Sequence, residues 1–226
     1  MSVYVVATIR PWNIAKYHSA ICKFPGEWHL IDEPSKLTKE FLIKINPRYI
    51  FFPHWSAIVP KEITAQYECV CFHETDLPYG RGGSPIQNLI ERGHKETQIT
   101  ALKMTDIVDG GPIYMKRQLS LLGLAEEIFI RAADLVAGMI EEIVVNQPEP
   151  VPQVGEAVCF GRRKPEQSEI DKDTQSLEHI YDLIRMLDAQ DYPHAYLDID
   201  NFRIEFTRPA LRTDFIEANV IIKSKK

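Results

Sequence analysis

The segment that decides the fold is residues 69–85, CVCFHETDLPYGRGGSP. Its first five residues alternate in the manner of a β-strand, and the stretch from Glu74 to Ser84 is rich in Gly, Pro and polar residues. A buried strand followed by such a loop is typical of the carboxyl end of a parallel sheet, where loops of neighbouring strands meet in a crevice. We therefore predict an α/β sheet with a ligand site beside this loop.

On the amino-terminal side of this segment, strands and helices alternate. Apolar runs typical of buried strands lie at Val3–Ile9, 28–31 and Tyr49–Phe52. Helical spacing of apolar residues predicts helices at 14–23, 35–45 and 60–66. The alternation predicts a Rossmann-like, mostly parallel sheet flanked by helices.

On the carboxyl-terminal side, the pattern continues and then changes. We predict a helix at Pro85–Ile90, strands at 96–105 and 111–121, and a long amphipathic helix from Leu124 to Asn146. Three prolines at 148, 150 and 152 make a stiff link. A further helix at 177–187 and two or three antiparallel strands within 195–222 complete the chain. The predicted domains are a catalytic domain, 1–147, and a linker with a small C-terminal α+β extension, 148–226.

Composition narrows the function classes. The chain has 226 residues, 45% hydrophobic and 26% charged, which is typical of a globular protein. The formal net charge of −6 gives no electrostatic footprint for a nucleic acid, so we expect no nucleic-acid partner. No apolar window is long enough for a membrane helix and no signal peptide precedes the first strand, so we expect a cytoplasmic protein without a membrane partner. The four cysteines have no metal-ligand spacing, so no metal is expected.

Two ionisable residues, one imidazole and one carboxylate, are predicted to lie at the crevice. His73 ends a strand and Asp109 stands in the turn before Gly110 and Gly111. Acyl transfer to an amine needs a donor to the developing oxyanion and a group that orients or deprotonates the nitrogen. On residue type alone, His73 is equally explained by a structural hydrogen bond, and Asp109 by its turn.

Ordered motifs connect the chain to a known family. Residues 73–85 resemble the His-x-x-x-Leu-Pro-x-(Tyr)-Arg-Gly-x-x-Pro signature of the folate-dependent formyltransferases. The resemblance is to a catalytic domain like that of methionyl-tRNA formyltransferase. Residues 96–100 and 109–113 are similar to the family's Glu-Thr-Gly-Val-Thr and Asp-x-Gly-x-Ile segments, and 58–63 to its pterin-site loop. Residues 160–185 resemble the segment found in the branch that formylates nucleotide-linked amino sugars.

The resemblance implies a 10-formyltetrahydrofolate co-substrate and an Asn-His-Asp catalytic set. His73 takes the place of the family His and Asp109 that of the family Asp. Cys71 stands where the family has Asn. A thiol is a weak hydrogen-bond donor, so we expect slow turnover or a substitute donor such as a water or His54. Cys71 acting as a nucleophile is the alternative.

Candidate binding residues follow from the same resemblance and from position. The pterin site is expected at two apolar loops, which contribute Trp55, Ser56, Ile58, Val59, Ile107 and Val108. Substrate contacts are expected from residues after the first strand and from the Gly-rich loop: Arg10, Trp12, Asn13 and Arg81. Trp55 is equally explained as a core aromatic, Arg10 as a solvated surface residue, and Arg81 as a loop organiser.

The sequence leads us to expect an enzyme that transfers a formyl group to a nucleotide-linked amino sugar, of the kind used for surface polysaccharides or nonulosonic acids. Two alternatives stay open: an enzyme similar to methionyl-tRNA formyltransferase, and a non-catalytic folate- or sugar-nucleotide-binding protein that lost activity through Cys71. The C-terminal strands and apolar helix faces are compatible with a homodimer.

Overall fold

A computed structural model of the chain describes residues 1–174 and 176–225. Eleven strands occur in it: β1 Val3–Ala7, β2 Glu27–Ile31, β3 Tyr49–Pro53, β4 Cys69–His73, β5 Tyr79–Gly82, β6 Glu96–Lys103, β7 Ile113–Ser120, β8 Val158–Phe160, β9 Ala195–Ile199, β10 Phe202–Leu211 and β11 Ile216–Ser224. Six of them form a sheet in the order β2-β1-β3-β4-β6-β7. Strand β1 is parallel to β2 and β3, and β3 is parallel to β4, whereas β4 and β6 are antiparallel. The predicted Rossmann-like, mostly parallel sheet is confirmed.

In the same described residues, six α-helices connect these strands: α1 Pro11–Ser19, α2 Lys39–Ile45, α3 Lys61–Gln66, α4 Pro85–Glu91, α5 Ala125–Asn146 and α6 Leu177–Arg185. Helix α1 begins at Pro11, three residues earlier than predicted, because proline suits the first helical position, where no amide donor is needed. Helix α2 begins later than predicted. Residues Pro34–Lys36 form a separate 3-10 turn, and the Thr38 hydroxyl then caps α2 by accepting from the Phe41 amide at 3.2 Å.

The chain divides into two compact units, which do not follow its linear order. The first comprises 1–82, 98–119 and 129–159, and the second comprises 83–97, 120–128 and 160–226. The second unit thus includes two segments that precede the proline link in sequence. The domain boundary expected at residue 147 stays a prediction.

In the first unit, the main core lies on one face of the large sheet. Buried side chains of β1, β2, β3 and β4 meet those of α2, α3 and their flanking residues there: Val5, Ala7, Ile31, Leu37, Leu42, Ile50, Phe52, Ile63, Tyr67 and Cys69. The opposite face is aromatic, and ring pairs join Tyr4 to Tyr49 and Phe51 to Phe72. Burial on both faces explains why these strands are continuous apolar runs.

In the second unit, one antiparallel sheet has the order β11-β10-β9, which confirms the expected antiparallel strands and gives their number as three. Helix α6 is anchored by Arg185, a buried residue that donates to the carbonyls of Leu121 at 2.6 Å and Gly123 at 3.0 Å. The guanidinium also pairs with Asp182. A buried arginine is tolerated because these acceptors satisfy its donors.

One small sheet was missed. Residues 74–84 were expected to be loop, but Tyr79–Gly82 pairs with β8 in a two-stranded sheet. Strand β8, its partner, lies far along the chain from β5, beyond the proline link. The local sequence around β5 therefore carries no signal for the pairing. Among the described residues, no helix is long and apolar enough to cross a bilayer.

Candidate active site

The carboxyl ends of the parallel strands β1, β3 and β4 lie at one edge of the sheet. His54 follows β3 directly, and His73 is the last residue of β4. In β4, alternation places Cys69, Cys71 and His73 on the same face. The predicted crevice edge therefore carries a buried imidazole.

The His73 ring is held by hydrogen bonding at one nitrogen and faces a carboxylate at the other. Its Nε2 lies 2.7 Å from the Gly80 carbonyl oxygen, and its Nδ1 lies 3.6 Å from Asp109 Oδ2. A carbonyl oxygen only accepts, so Nε2 carries the hydrogen in the first contact. The ring can therefore present Nδ1 to the carboxylate and to a reacting group beside it.

Asp109 is fixed by a turn that few other residues would adopt. Its φ of 51° is left-handed, a conformation that Asp tolerates better than most residues. A Cβ on Gly111 would lie 1.8 Å from the Lys103 carbonyl oxygen, so this position needs glycine. The Gly82 amide donates to Asp109 Oδ2 at 2.9 Å. The carboxylate thus joins the His73 ring to the backbone of the Gly-rich loop.

A residue that sequence reasoning missed, Gln153, joins the same two loops. Its Nε2 donates to the carbonyls of Asp109 and Gly111, at 2.8 Å each. Its Oε1 accepts from Arg81 Nε at 3.2 Å and Nη2 at 2.7 Å. Arg81 is therefore a loop organiser in this structure. Nothing in the sequence around Gln153 distinguishes it from an ordinary linker residue.

The loop between His73 and Gly82 is tied down from the neighbouring antiparallel strands. Thr100 Oγ1 donates to the Thr75 carbonyl at 2.7 Å, and Lys116 Nζ donates to the Leu77 carbonyl at 2.6 Å. Burial raises the pKa of the Glu74 carboxyl. Among its neighbours, His73 lowers this pKa and the negative charge of Asp109 raises it. These anchors hold the acceptors around His73 in place before any ligand arrives.

Cys71, which the sequence resemblance aligns with the family Asn, packs against the main core. Burial raises the pKa of its thiol, and the negative charge of Asp109 raises it further. The sulfur is therefore a neutral thiol near pH 7. This argues against the nucleophile alternative, because the thiolate is the reactive form.

The six predicted pterin-site residues lie on two loops that an ion pair connects. Lys61 Nζ lies 3.6 Å from Asp106 Oδ1, which links the start of α3 to the loop carrying Ile107 and Val108. Ile58, Ile107 and Val108 are 95%, 64% and 72% exposed, and Ser56 is also exposed. Val59 and Trp55 are partly buried against the core. Large apolar side chains exposed on adjacent loops suit an apolar ligand wall.

Trp55 combines both roles considered for it. Its ring packs on the core and lies edge-on to Phe52, with centroids 5.9 Å apart. Within the described residues, its buried Nε1 has no hydrogen-bond partner. A buried indole N–H normally finds an acceptor, so this donor is available to a polar ligand.

The predicted substrate residues after β1 form a separate group of contacts. Trp12 is buried, stacked on Phe129 with centroids 4.9 Å apart, and Asn13 Nδ2 donates to the Pro53 carbonyl at 3.5 Å. Arg10 lies over the Trp12 ring, 6.0 Å from its centroid. Trp12 and Asn13 are thus used in packing, which leaves Arg10, only partly buried, as the best candidate for substrate contact.

His54 completes this group. Its ring contacts Trp12 and Phe129 at centroid distances of 5.4 Å and 4.6 Å. Burial, with a contribution from the positive charge of Arg10, lowers the pKa of His54 to about 3. The ring is therefore neutral near pH 7. Among the described residues, no cluster of three or more His, Cys, Asp or Glu side chains is suited to hold a metal ion.

Comparison with known proteins finds the family that the sequence motifs indicate. The family profile described as formyl transferase matches residues 32–127, and the one described as methionyl-tRNA formyltransferase, C-terminal domain, matches residues 165–223. The first match includes His73, Asp109 and all six predicted pterin-site residues.

A solved structure of methionyl-tRNA formyltransferase from Clostridium thermocellum is 47% identical, with a TM-score of 0.96, and the match covers 99% of this chain and 100% of that one. The methionyl-tRNA formyltransferase of Thermodesulfovibrio yellowstonii is 27% identical over 209 residues, which are 85% of this chain and 66% of the relative. The chain thus spans about two thirds of the length of the curated relatives it matches, the next two being covered to 62% and 64%.

A solved sugar N-formyltransferase from a Shewanella species is 15% identical, with a TM-score of 0.69, and the match covers 100% of this chain and 98% of that one. At this identity the similarity shows a shared fold. The expectation that sugar N-formyltransferases are the nearest relatives is not supported, since the 47% identical structure carries a methionyl-tRNA formyltransferase name.

Proposed function

The chain belongs to the formyltransferase family, and from this premise we propose that it transfers the formyl group of 10-formyltetrahydrofolate to a primary amine. The observation that carries the proposal is the His73–Asp109 pair, whose Nδ1 and Oδ2 atoms lie 3.6 Å apart at the carboxyl end of β4. The resemblance of residues 73–85 and 109–113 to the family's motifs supports the proposal that these two residues take the roles of its catalytic His and Asp.

The geometry supports different roles for the two side chains, hydrogen-bond donation by His73 and proton acceptance by Asp109. Gly80 and Gly82 orient the His73 ring and the Asp109 carboxylate through hydrogen bonds of 2.7 Å and 2.9 Å. Since Nε2 already carries a hydrogen, Nδ1 of His73 would donate to the formyl oxygen in the imidazolium form, which has a hydrogen on both ring nitrogens. Asp109 would accept the proton that the attacking amine loses.

The candidate cofactor loops fit a folate. The Trp55 indole N–H would meet an acceptor of the pterin ring, since it is buried and unsatisfied within the described residues. Ile58, Ile107 and Val108 would form apolar walls, because they are largely exposed. Such a mixture of apolar walls and a few polar groups is typical of cofactor pockets. When bound, 10-formyltetrahydrofolate supplies an electrophilic formyl carbon.

The amine of methionyl-tRNA is the first candidate acceptor. It is favoured by the C-terminal profile over residues 165–223 and by the 47% identical structure with that name. A nucleotide-linked amino sugar is the second candidate. It is favoured by the formal net charge of −6, because a chain that binds transfer RNA usually presents clustered positive charge.

The test is a formyl-transfer assay with both acceptors in parallel. The purified chain would be incubated with 10-formyltetrahydrofolate and either initiator methionyl-tRNA or a panel of nucleotide-linked amino sugars. Release of tetrahydrofolate would be followed by absorbance and the formylated product by mass spectrometry. We expect one acceptor class to yield product.

Variants connect the activity to the site. His73→Ala and Asp109→Ala should each lower kcat by roughly 100-fold or more. His29→Ala and Asp134→Ala are matched controls, since the His29 ring lies beside Glu27 and the Asp134 carboxylate beside Lys16, away from the His73–Asp109 pair, and they should stay within about twofold of wild type. Tetrahydrofolate binding without turnover on any amine would establish the non-catalytic alternative. Full activity in His73→Ala would remove the assigned site.

A further inference from the structure

Glu74 is a titratable residue beside the His73–Asp109 pair that has no part in the roles assigned to those two side chains. It follows His73 directly and occupies a variable position of the His-x-x-x-Leu-Pro signature. The site also lacks one strong donor, because the neutral thiol of Cys71 donates weakly. His54, the substitute donor expected from the sequence, packs against two aromatic rings. Glu74 is therefore the next side chain to consider.

The backbone holds Glu74 at the crevice edge. His73, the residue before it, is paired with Thr100 in the sheet, and Thr75, the residue after it, is fully buried. The Thr75 carbonyl accepts a hydrogen bond of 2.7 Å from the Thr100 hydroxyl. The chain bends at Glu74, where strand β4 has ended. The residue is thus positioned by anchored neighbours on both sides.

The interactions of the Glu74 carboxyl place it among the groups of the site. In a regular strand, Glu74 would point to the face opposite His73, but the bend removes that constraint. His73 and Asp109 both act on the Glu74 carboxyl. The pKa of the Cys71 thiol is raised by burial, then by Asp109 and, to a smaller extent, by Glu74. These interactions indicate that the carboxyl lies on the side of the sheet that carries His73.

The two carboxyls of the site have different environments. Asp109 Oδ2 accepts from the Gly82 amide at 2.9 Å and lies 3.6 Å from His73 Nδ1, contacts that suit a carboxylate. Burial raises the pKa of the Glu74 carboxyl and the charge of Asp109 raises it further, against opposing effects of His73 and of a backbone hydrogen bond. Carboxyls in such different surroundings take different protonation states and roles.

We propose that Glu74, as a neutral carboxylic acid, donates its O–H to the formyl oxygen and supplies the hydrogen bond that Cys71 cannot. This role rests on the proposed formyl transfer. A protonated carboxyl is a hydrogen-bond donor, as is the carboxamide of the family Asn. The hydrogen stays on Glu74 while negative charge develops on the formyl oxygen. The proton that the attacking amine loses goes to Asp109, so the two carboxyls act on different atoms.

Two substitutions separate a neutral donor from a carboxylate. Glu74→Ala removes the donor and should lower kcat by roughly 100-fold. Glu74→Gln keeps a neutral N–H donor and should stay within about fivefold of wild type. A base would be lost in both variants, so equal losses would overturn the proposal. Glu33→Ala and Glu33→Gln are matched controls, because Glu33 lies in an exposed ion pair with Lys36, and both should keep the wild-type rate.

Coupling with Cys71 distinguishes a donor from a merely structural residue. In a Cys71→Asn background, a carboxamide supplies a hydrogen bond to the same oxygen. Glu74→Ala should then lower kcat by less than about 10-fold, compared with roughly 100-fold beside the native thiol. A residue that only holds the loop would cost the same in both backgrounds. Equal losses in the two backgrounds would therefore also overturn the proposal.

The protonation state can be read without turnover. Infrared spectra of the full-length protein at pH 7 should contain the carbonyl band of a protonated carboxylic acid, which Glu74→Gln should remove and Glu33→Gln should not. Absence of this band would overturn the neutral-donor role.

Failure of this role and failure of the proposed function are distinguishable. A wild type that formylates either acceptor, with Glu74→Ala equally fast, would remove the role of Glu74 alone. A wild type inactive with both acceptors would remove the proposed function, and the infrared band would still decide whether Glu74 is a neutral acid.

Discussion

At the residue scale, the thiol of Cys71 is the feature that separates this chain from its family's catalytic pattern. It lies two residues before His73 on the same face of β4, and burial raises its pKa. A neutral thiol donates weakly. The residue therefore fills space at the crevice edge and contributes little to stabilising an oxyanion.

Thiol reactivity tests this description. Cys22 and Cys159 are exposed, whereas Cys69 is buried with its pKa raised to about 12, mainly by burial. At pH 8, a disulfide reagent such as dithiobis-nitrobenzoate should modify two thiols quickly in the native protein and the other two only in urea. The Cys22→Ser/Cys159→Ser variant should be inert when folded. Rapid reaction of Cys71 in that variant would restore it as a candidate nucleophile.

Replacing the thiol by the family's carboxamide should increase activity. We expect Cys71→Asn to raise kcat by roughly 10- to 100-fold, since one oxyanion donor is worth roughly 100- to 1,000-fold when removed from other enzymes. Cys71→Ala is the control and should leave kcat within about twofold. Steady-state kinetics with 10-formyltetrahydrofolate would measure both. A large loss in Cys71→Ala would show that the sulfur itself acts.

At the element scale, Gln153 connects the turn between β6 and β7 with strand β5. Truncation to alanine leaves the Asp109 and Gly111 carbonyls without their donor and releases Arg81. Gln153→Ala and Arg81→Ala should each lower kcat by about 10-fold, and the double variant should be no slower than either, because both act through one contact. Additive losses would show that Arg81 contacts the substrate independently.

Helices α1 and α5 meet around a neutral histidine. Because the folded pKa of His54, about 3, lies below the usual value of 6.5, the unfolded chain binds the proton more readily. Stability is therefore full above pH 6.5 and falls as pH decreases from 6.5 towards 3.

Urea unfolding at several pH values would measure this. The free energy of unfolding should decrease by at most about 1.4 kcal/mol per pH unit below pH 6.5. The slope should become shallower in His54→Gln, and the control His29→Gln, whose ring forms an exposed hydrogen bond with Glu27, should match the wild type. An unchanged slope in His54→Gln would assign the acid sensitivity to other groups.

At the scale of the whole molecule, charge bears on the choice of acceptor. If the acceptor is a nucleotide-linked amino sugar, as the formal net charge of −6 favours, deacylated transfer RNA should bind with a dissociation constant above about 100 μM at roughly 0.15 M salt. Filter binding at several salt concentrations would measure it. Tight binding with a steep salt dependence would reveal a basic face that the net charge conceals, and would favour methionyl-tRNA as acceptor.

Much of the fold was predictable because the large sheet is built from local signals. Strand β4 was predicted with its observed bounds, and α5 to within one residue, because apolar runs and helical spacing report directly on burial. The predicted start of α2 is too early because Pro34–Lys36 form a separate 3-10 turn and the Thr38 cap begins α2 only at Lys39. The β5–β8 pairing was missed because strand pairing between distant segments has no local signature.

By itself, the sequence determined the Rossmann-like class, the strand that ends at His73, and the motifs whose resemblance selects His73 and Asp109. Tertiary structure alone decided that Gln153 and Arg81 fasten the Asp109 turn, that Trp12 and Asn13 are used in packing, and that Glu74 lies among the titratable groups of the site. The reason is physical. Periodicity and turn chemistry act between neighbours in the chain, whereas hydrogen bonds across about 40 or 70 residues depend on where the folded backbone brings each group.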